Sequence, residues 1–239
     1  MKLSNIILAG ISLLLVGGLI ASNLALNKEY NEMDKNDSYW MFGKISEQPF
    51  KHIIMEGGNL TQIIYEPDEN CSVRINKRWL DLKKDSIKVK VQNDTLYLQF
   101  PANLTYSIKK EDKSLSQLIR IFSPNLLTVN GNNTQILLGR FKQKKISINL
   151  KGKSELNLES ALTEFDTLHI TLSDSSVSTL SVTNKAVGSK ILRVQYVKAL
   201  INDWSQLRLG KCLIRTMLLY AGDSTSVEFS GATINTVKH

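Results

Sequence analysis

The sequence predicts an all-β domain behind one apolar N-terminal helix, and three observations carry that reading. Residues 3–27 contain no charged side chain. From Phe50 onward apolar and polar residues alternate with a period of two, as strands with one buried face require. In the second half one local plan returns at intervals of about 20 residues. Composition agrees: of 239 residues, 42% are hydrophobic and 22% charged, enough apolar surface for a core and too little charge for a disordered chain.

The uncharged run of 25 residues would make a helix of roughly 37 Å, longer than the roughly 30 Å of a bilayer's hydrocarbon. Residues 1–27 are therefore expected to form a transmembrane anchor, with the membrane contact at residues 3–27. A cleaved signal peptide, which also uses Lys2 and an apolar run, is the rival. The length of the run and the lack of an Ala-x-Ala ahead of Lys28 favour the anchor. No cysteine precedes Cys71, so lipoprotein-type acylation is not expected. Lys2 on one side and Lys28 and Lys35 on the other leave positive-inside counting undecided. Export of the large domain is expected because an N-terminal apolar segment is itself an export signal. Gly17-x-x-x-Ala21 and Gly18-x-x-x-Ser22 have helix-pairing spacing, but so short a motif also arises from the small residues common in anchors.

Residues 28–47 are polar apart from Tyr39-Trp-Met-Phe42 and read as a juxtamembrane linker; residues 48–232 read as the β domain and 233–239 as a tail. Ile87-Lys-Val-Lys-Val91 and Leu96-Tyr-Leu-Gln-Phe100 alternate strictly around the turn-like Gln92-Asn-Asp94. Ile119-Arg-Ile-Phe-Ser ends at Pro124, which has no N–H for a ladder. Residues 111–118 could be helical but are too few to change the class. Net charge over residues 28–239 is +7, concentrated at Lys83-Lys84, Lys109-Lys110 and residues 140–145. These clusters lack interleaved aromatics, so nucleic acid is not an expected partner. Solvated strand edges and loops account for them, with anionic glycans or lipid head groups as the other reading.

Five segments share a plan: an apolar residue, turn-forming polar residues, a Ser or Thr, then alternating apolars. They occupy residues 129–138, 150–158, 172–180, 200–209 and 220–229. Taking Ile136, Leu156, Val177, Leu207 and Val227 as equivalent gives steps of 20, 21, 30 and 20 residues, as stacked coils with one enlarged loop would. A right-handed parallel β-helix or solenoid is the expected fold; the alternative is a two-sheet β-sandwich with antiparallel sheets.

Phe50-Lys-His-Ile-Ile-Met-Glu-Gly-Gly-Asn-Leu-Thr-Gln-Ile-Ile64 resembles the opening strands of the autotransporter adhesin head domain family, the GIN domain family. Asn93-Asp-Thr-Leu-Tyr-Leu98, Ile119-Arg-Ile-Phe-Ser-Pro-Asn-Leu-Leu-Thr-Val-Asn-Gly131 and the five segments extend the resemblance over residues 48–232. It implies a β-helical envelope protein of Bacteroidetes-type bacteria with a binding or adhesive role, and it carries no catalytic residues. The chain departs from the family in having Asn132, Ser173 and Asp203 where turn glycines are usual, and in its long third step.

Chemistry-bearing patterns are sparse. His52, His169 and His239 lie at no ligand spacing, so no metal or cofactor is expected, and no nucleophile elbow or phosphate loop is present. Cys71 and Cys212 are expected as buried free thiols. On the segment alignment Asp203 and Asp223 share a turn position and Asp174 falls one residue out of line. Carboxylates about 5 Å apart approach a retaining glycosidase's spacing, although turns select Asp in any case. Trp204 is the candidate recognition aromatic; packing beneath the preceding insertion is its rival. Ser86, Thr95, Thr167 and Ser224 each follow Asp and precede an apolar residue or threonine. They resemble the O-glycan acceptors of exported Bacteroidetes proteins, although Asp-Ser and Asp-Thr also simply open strands.

The expected protein is a membrane-anchored, exported, non-catalytic binding module of the cell envelope, meeting glycan, an envelope protein or another copy of itself. The alternatives are a carbohydrate-active enzyme on a β-helix and a structural or regulatory envelope component. An enzyme should show a cleft rimmed by carboxylates, a binding module a line of exposed polar or aromatic side chains, and a partner protein an uncovered apolar end.

Overall fold

The computed structural model describes residues 3–32, 34–59, 61–82, 87–101, 117–139, 142–158, 164–181, 192–230 and 233. The chain forms two compact units, Met1–Met41 and Phe42–His239. In the first, helix α1 (Leu3–Glu32) continues five residues past the uncharged run, and its stretch Ile7–Asn31 is long and apolar enough to cross a membrane. Asp34 and Asp37 then close short turns, their carboxylates accepting from the backbone N–H of Asn36 and Tyr39.

The second unit begins with β1 (Phe42–Ser46), a strand inside the stretch read as linker, then β2 (His52–Glu56), β3 (Gln62–Pro67), β4 (Ser72–Asn76) and α2 (Lys77–Leu82). It continues through β5 (Lys88–Gln92), β6 (Thr95–Gln99) and β7 (Gln117–Ser123). Five strand pairs follow: β8–β9 (Thr128–Asn132, Gln135–Leu138), β10–β11 (Lys142–Lys151, Glu155–Leu158) and β12–β13 (Glu164–Leu172, Val177–Leu180), then β14–β15 (Leu192–Ile201, Gln206–Leu209) and β16–β17 (Cys212–Ala221, Ser226–Phe229).

Two sheets result, neither closed on itself. One is ordered β1-β4-β7-β3-β9-β11-β13-β15-β17, the other β16-β14-β12-β10-β8-β2-β6-β5. Their inward side chains form one apolar cluster running from Phe50 to Ile214. The two-layer alternative from the sequence fits this arrangement, but antiparallel sheets do not. Antiparallel pairing is confined to β1–β4–β7 and β5–β6, and every other neighbour is parallel. The reason is local: each segment crosses from one sheet to the other through a short turn, so successive strands of one sheet run the same way.

At the antiparallel end Asn93 and Asp94, at φ 50° and 56°, make the two-residue turn between β5 and β6. Helix α2 was not expected from the sequence. Six residues give no periodicity to read, yet Asn76 Oδ1 accepts the Arg78 N–H at 3.0 Å and Trp79 is 2% exposed. Tyr65 is fully buried, its hydroxyl donating to the Ser123 carbonyl at 2.8 Å, and burial pushes its pKa up to about 12. β7 stops at Ser123, directly before Pro124. The rest of residues 111–118, ahead of Gln117, lies outside the described residues, as does the enlarged loop at 182–191.

A hydroxyl residue precedes β3, β9, β11, β13, β15 and β17 of the nine-stranded sheet: Thr61, Thr134, Ser154, Ser176 and Ser205, all almost fully buried, then Thr225. The side chain is small enough for the chain to turn over the core, and its oxygen replaces backbone partners lost at the corner. Ser154 Oγ accepts the Thr134 N–H at 3.2 Å, and Ser205 Oγ accepts the Ser176 N–H at 3.2 Å. Ser176 Oγ donates to the Leu150 carbonyl at 3.3 Å. Backbone bonds lock each turn to the next: Val177 N–H to Ser154 O at 2.8 Å, Gln206 N–H to Ser176 O at 2.9 Å.

This register corrects the sequence alignment at one segment. Val177 pairs with Glu155 and Gln206 and faces outward; Ser178 pairs with Leu156 and Leu207 and faces the core. Apolar content favoured Val177 as the inward residue, but the buried Ser176 and Leu180 fix the parity. Asp174 consequently lines up with Asp203 and Asp223 instead of falling one residue away. Ser178 Oγ is buried without a hydrogen-bond partner.

The far end differs from the antiparallel end. β16 and β17 are the last strands of their sheets among the described residues. Their core-directed Leu219 and Phe229 are 36% and 38% exposed, although their neighbours Ala199 and Leu209 are buried. Cys212 is buried beneath this end, whereas Cys71 opens β4 near the other and is half-buried instead of buried as expected. Both thiols are free, and several strand spacings of about 4.8 Å separate them, beyond the reach of a disulfide.

The two kinds of buried serine should respond oppositely to alanine. Ser178→Ala removes an unpaired buried hydroxyl and is expected to raise the unfolding free energy by about 1 kcal/mol, whereas Ser154→Ala takes the side-chain acceptor from the Thr134 N–H and lowers it by about 1–2 kcal/mol. Urea unfolding measures both; equal losses at the two positions would refute the assigned register.

Candidate binding surface

The turns joining the two sheets bring the predicted residues together. Asp174-Ser175, Asp203-Trp204 and Asp223-Ser224 occupy equivalent positions on three successive segments, all exposed, with neighbouring backbones about 4.8 Å apart. Asn132 and Gly152 hold the same place earlier in the line. Asp174 and Ser175 stand at φ 56° and 70°, Asp203 and Trp204 at 53° and 61°. Aspartate tolerates this region because its short side chain bonds locally; tryptophan has no such compensation. The strand-to-strand bond from Ser175 N–H to Asp203 O, 2.8 Å, holds the Trp204 turn against its neighbour. Trp204 is 74% exposed. The indole thus stands exposed beside a line of carboxylates and hydroxyls.

The other predicted positions scatter. Thr95 is half-buried at the start of β6, its Oγ1 donating to the Asn93 carbonyl at 3.2 Å. Thr167 is half-buried in the middle of the eight-stranded sheet, Ser224 is exposed beside Asp223, and Ser86 lies outside the described residues.

The outer face of the eight-stranded sheet was not legible as a surface. Thr128, Ser147, His169 and Lys198 form one row across it, and Asn130, Asn149 and Thr171 the next. Asn149 Nδ2 donates to Asn130 Oδ1 at 2.8 Å, and His52 Nδ1 lies 2.7 Å from Thr128 Oγ1. His169 sits edge-on to Tyr196, ring centroids 6.5 Å apart. Partial burial, and then the charges of Lys145 and Lys198, hold its pKa below the ordinary histidine value. The available signal was the alternation of outward polar residues in β8, β10 and β12, which forms rows only once the register is known.

At the antiparallel end a polar cavity of about 420 Å³ is lined by Lys44, Glu47, Asp68, Asn70, Cys71 and Arg74. Two of its charges pair, Lys44 Nζ lying 2.6 Å from Glu47 Oε1, and Asp68 Oδ1 accepts the Asn70 N–H at 2.9 Å. No cluster of three or more His, Cys, Asp or Glu side chains suited to a metal occurs among the described residues.

No protein-family model and no curated protein matches the chain. Solved structures do. A "putative adhesin" from Bacteroides fragilis is 12% identical, over 79% of this chain and 96% of that one, with a TM-score of 0.43. A "putative lipid binding protein" from Parabacteroides distasonis is 15% identical over 80% and 94%, with a TM-score of 0.40. A "putative adhesin" from Parabacteroides merdae is 13% identical over 79% and 95%, with a TM-score of 0.37. At such values the likeness carries no functional argument, and the reading below rests on the chain's own residues.

Trp204 should contribute nothing to folding. Trp204→Gly relieves the left-handed backbone and is expected to raise the unfolding free energy by about 0.5–1 kcal/mol, and Trp204→Ala to leave it within about 0.5 kcal/mol. A loss of about 2 kcal/mol or more on denaturant unfolding would mean that the indole packs against the domain.

Proposed function

We propose that the chain is a membrane-anchored, exported envelope module that binds glycan without catalysis through the turn line centred on Trp204. The observation that carries this reading is an exposed tryptophan held at positive φ, where folding alone favours glycine or asparagine. A flat aromatic face beside exposed carboxylates and hydroxyls suits the mixed apolar and polar surface of a sugar. Asp174, Asp203 and Asp223 are assigned as hydrogen-bond acceptors for its hydroxyls.

The parallel register of consecutive segments supports a right-handed β-solenoid as the architecture, in keeping with the GIN domain resemblance. Helix α1 supports a single membrane pass with the large unit in the periplasm or on the cell surface. Thr95, Thr167, Ser86 and Ser224 stand as proposed O-glycan acceptors, Ser224 being the exposed one among those described.

A carbohydrate-active enzyme is the weaker reading. The aspartates have a suitable spacing, but they stand on exposed turn tips, whereas a catalytic acid needs apolar surroundings to stay protonated. The structural-component reading draws on Leu219 and Phe229 at the open end, where a second copy could add strands.

A glycan array probed with the full chain in detergent tests the proposal. Binding to a glycan class is expected, with at least roughly tenfold weaker affinity for Trp204→Ala. An array with no bound glycan, or equal affinity for the variant, would contradict it.

A further inference from the structure

Exposed apolar side chains in the second unit are unevenly placed. On the outer face of the eight-stranded sheet, Leu200 of β14 and Leu218 and Tyr220 of β16 are 39%, 38% and 49% exposed. Leu200 and Tyr220 are register partners, and Leu218 is the partner of Lys198. Arg193 and Lys198 on β14 and Arg215 on β16 are exposed among them. Neither strand carries a carboxylate. Among the described residues none of these three cations is in an ion pair; on neighbouring β12 Glu164, the register partner of Arg193, meets Lys142 at 3.5 Å, and Asp166 is exposed beyond it, so the cations of β14 and β16 outnumber the carboxylates beside them.

Such a face joins aliphatic side chains, a tyrosine and unpaired cations on one flat sheet. Packed on a copy of itself about a two-fold axis, it would bring like charges together. Charge complementarity instead demands an anionic partner, and the aliphatic groups demand one with an apolar layer beneath its charge. A bilayer containing acidic lipids has both, with the tyrosine at headgroup depth and the cations among the phosphates. The same chain carries a helix long and apolar enough to place the domain beside a bilayer.

We propose that the outer face of β14 and β16 docks on an anionic membrane surface through Leu200, Leu218 and Tyr220, with Arg193, Lys198 and Arg215 binding lipid phosphates. Leu200 and Tyr220 lie three residues before Asp203 and Asp223, so the face adjoins the Trp204 turn line, and a label on Leu218 reads lipid docking whether or not glycan binds.

The test places a nitroxide on Leu218→Cys in the full chain, with Cys71→Ser and Cys212→Ala, reconstituted in vesicles. One set is phosphatidylcholine alone; the other is equal parts phosphatidylcholine and phosphatidylglycerol. With anionic lipid the label is expected to gain collisions with oxygen and lose collisions with a water-soluble nickel chelate. Arg193→Gln, Lys198→Gln and Arg215→Gln together should return it to water, with unchanged circular dichroism confirming the fold. A label on Thr179→Cys, facing outward on the opposite sheet, should stay aqueous throughout. A Leu218 label equally aqueous in both lipids would overturn the proposal. So would protection accompanied by spin–spin broadening, which would assign the face to a second copy.

Discussion

The second unit depends on a corner that only a small hydroxyl residue fills well. At each crossing between sheets the chain must bury a turn over the core while keeping its backbone groups bonded. Thr61, Thr134, Ser154, Ser176 and Ser205 meet both demands, being buried, small and able to bond the neighbouring turn. Because each corner bonds to the next, the register of every strand pair is fixed at the turn and propagates along both sheets. An apolar residue at position 154 would take away the side-chain acceptor of the Thr134 N–H.

Two surfaces follow from that register. Aligned corners put Asp174, Asp203 and Asp223 in one line with Trp204 among them. Aligned strands gather Arg193, Lys198 and Arg215, distant in sequence, onto the face that also bears Leu200 and Tyr220. The two ends of the sheets are treated differently. Antiparallel β1, β4 and β5, with helix α2, close one end, and the other presents the inner residues of β16 and β17. Exposed large apolar side chains of the second unit concentrate in the last segments, to which both proposals assign binding.

Much of this was legible in the sequence. Period-two alternation located the strands around Asn93-Asp94 and the stop at Pro124, and the segment plan located the turns and their Ser or Thr. The place of Trp204 in a turn made it a candidate exposed aromatic but left packing beneath the insertion open, because a turn position alone does not fix which way an indole points. What failed did so for physical reasons. A β-branched valine outweighed a serine as an inward residue, so Val177 was preferred to Ser178, although the buried corner at Ser176 decides the parity. Six-residue α2 is too short to show a helical period, and its stability comes from the Asn76 cap and the buried Trp79. The parallel sense of the pairing was expected from the segment repeat, but the rows of the outer face depend on contacts across about 20 residues or more, which alternation within one strand cannot encode.

The most direct measurement is oxidative cross-linking of paired cysteines in the full chain carrying Cys71→Ser and Cys212→Ala. Glu155→Cys with Val177→Cys places both side chains on the same outer face of adjacent parallel strands, within the Cα separation a disulfide requires. Leu156→Cys with Val177→Cys points the two side chains to opposite faces. The account expects rapid, complete bridging of the first pair and none of the second in the folded protein. Bridging of the second pair in preference to the first would contradict the register on which the turn line, the inward Ser178 and both proposed surfaces depend.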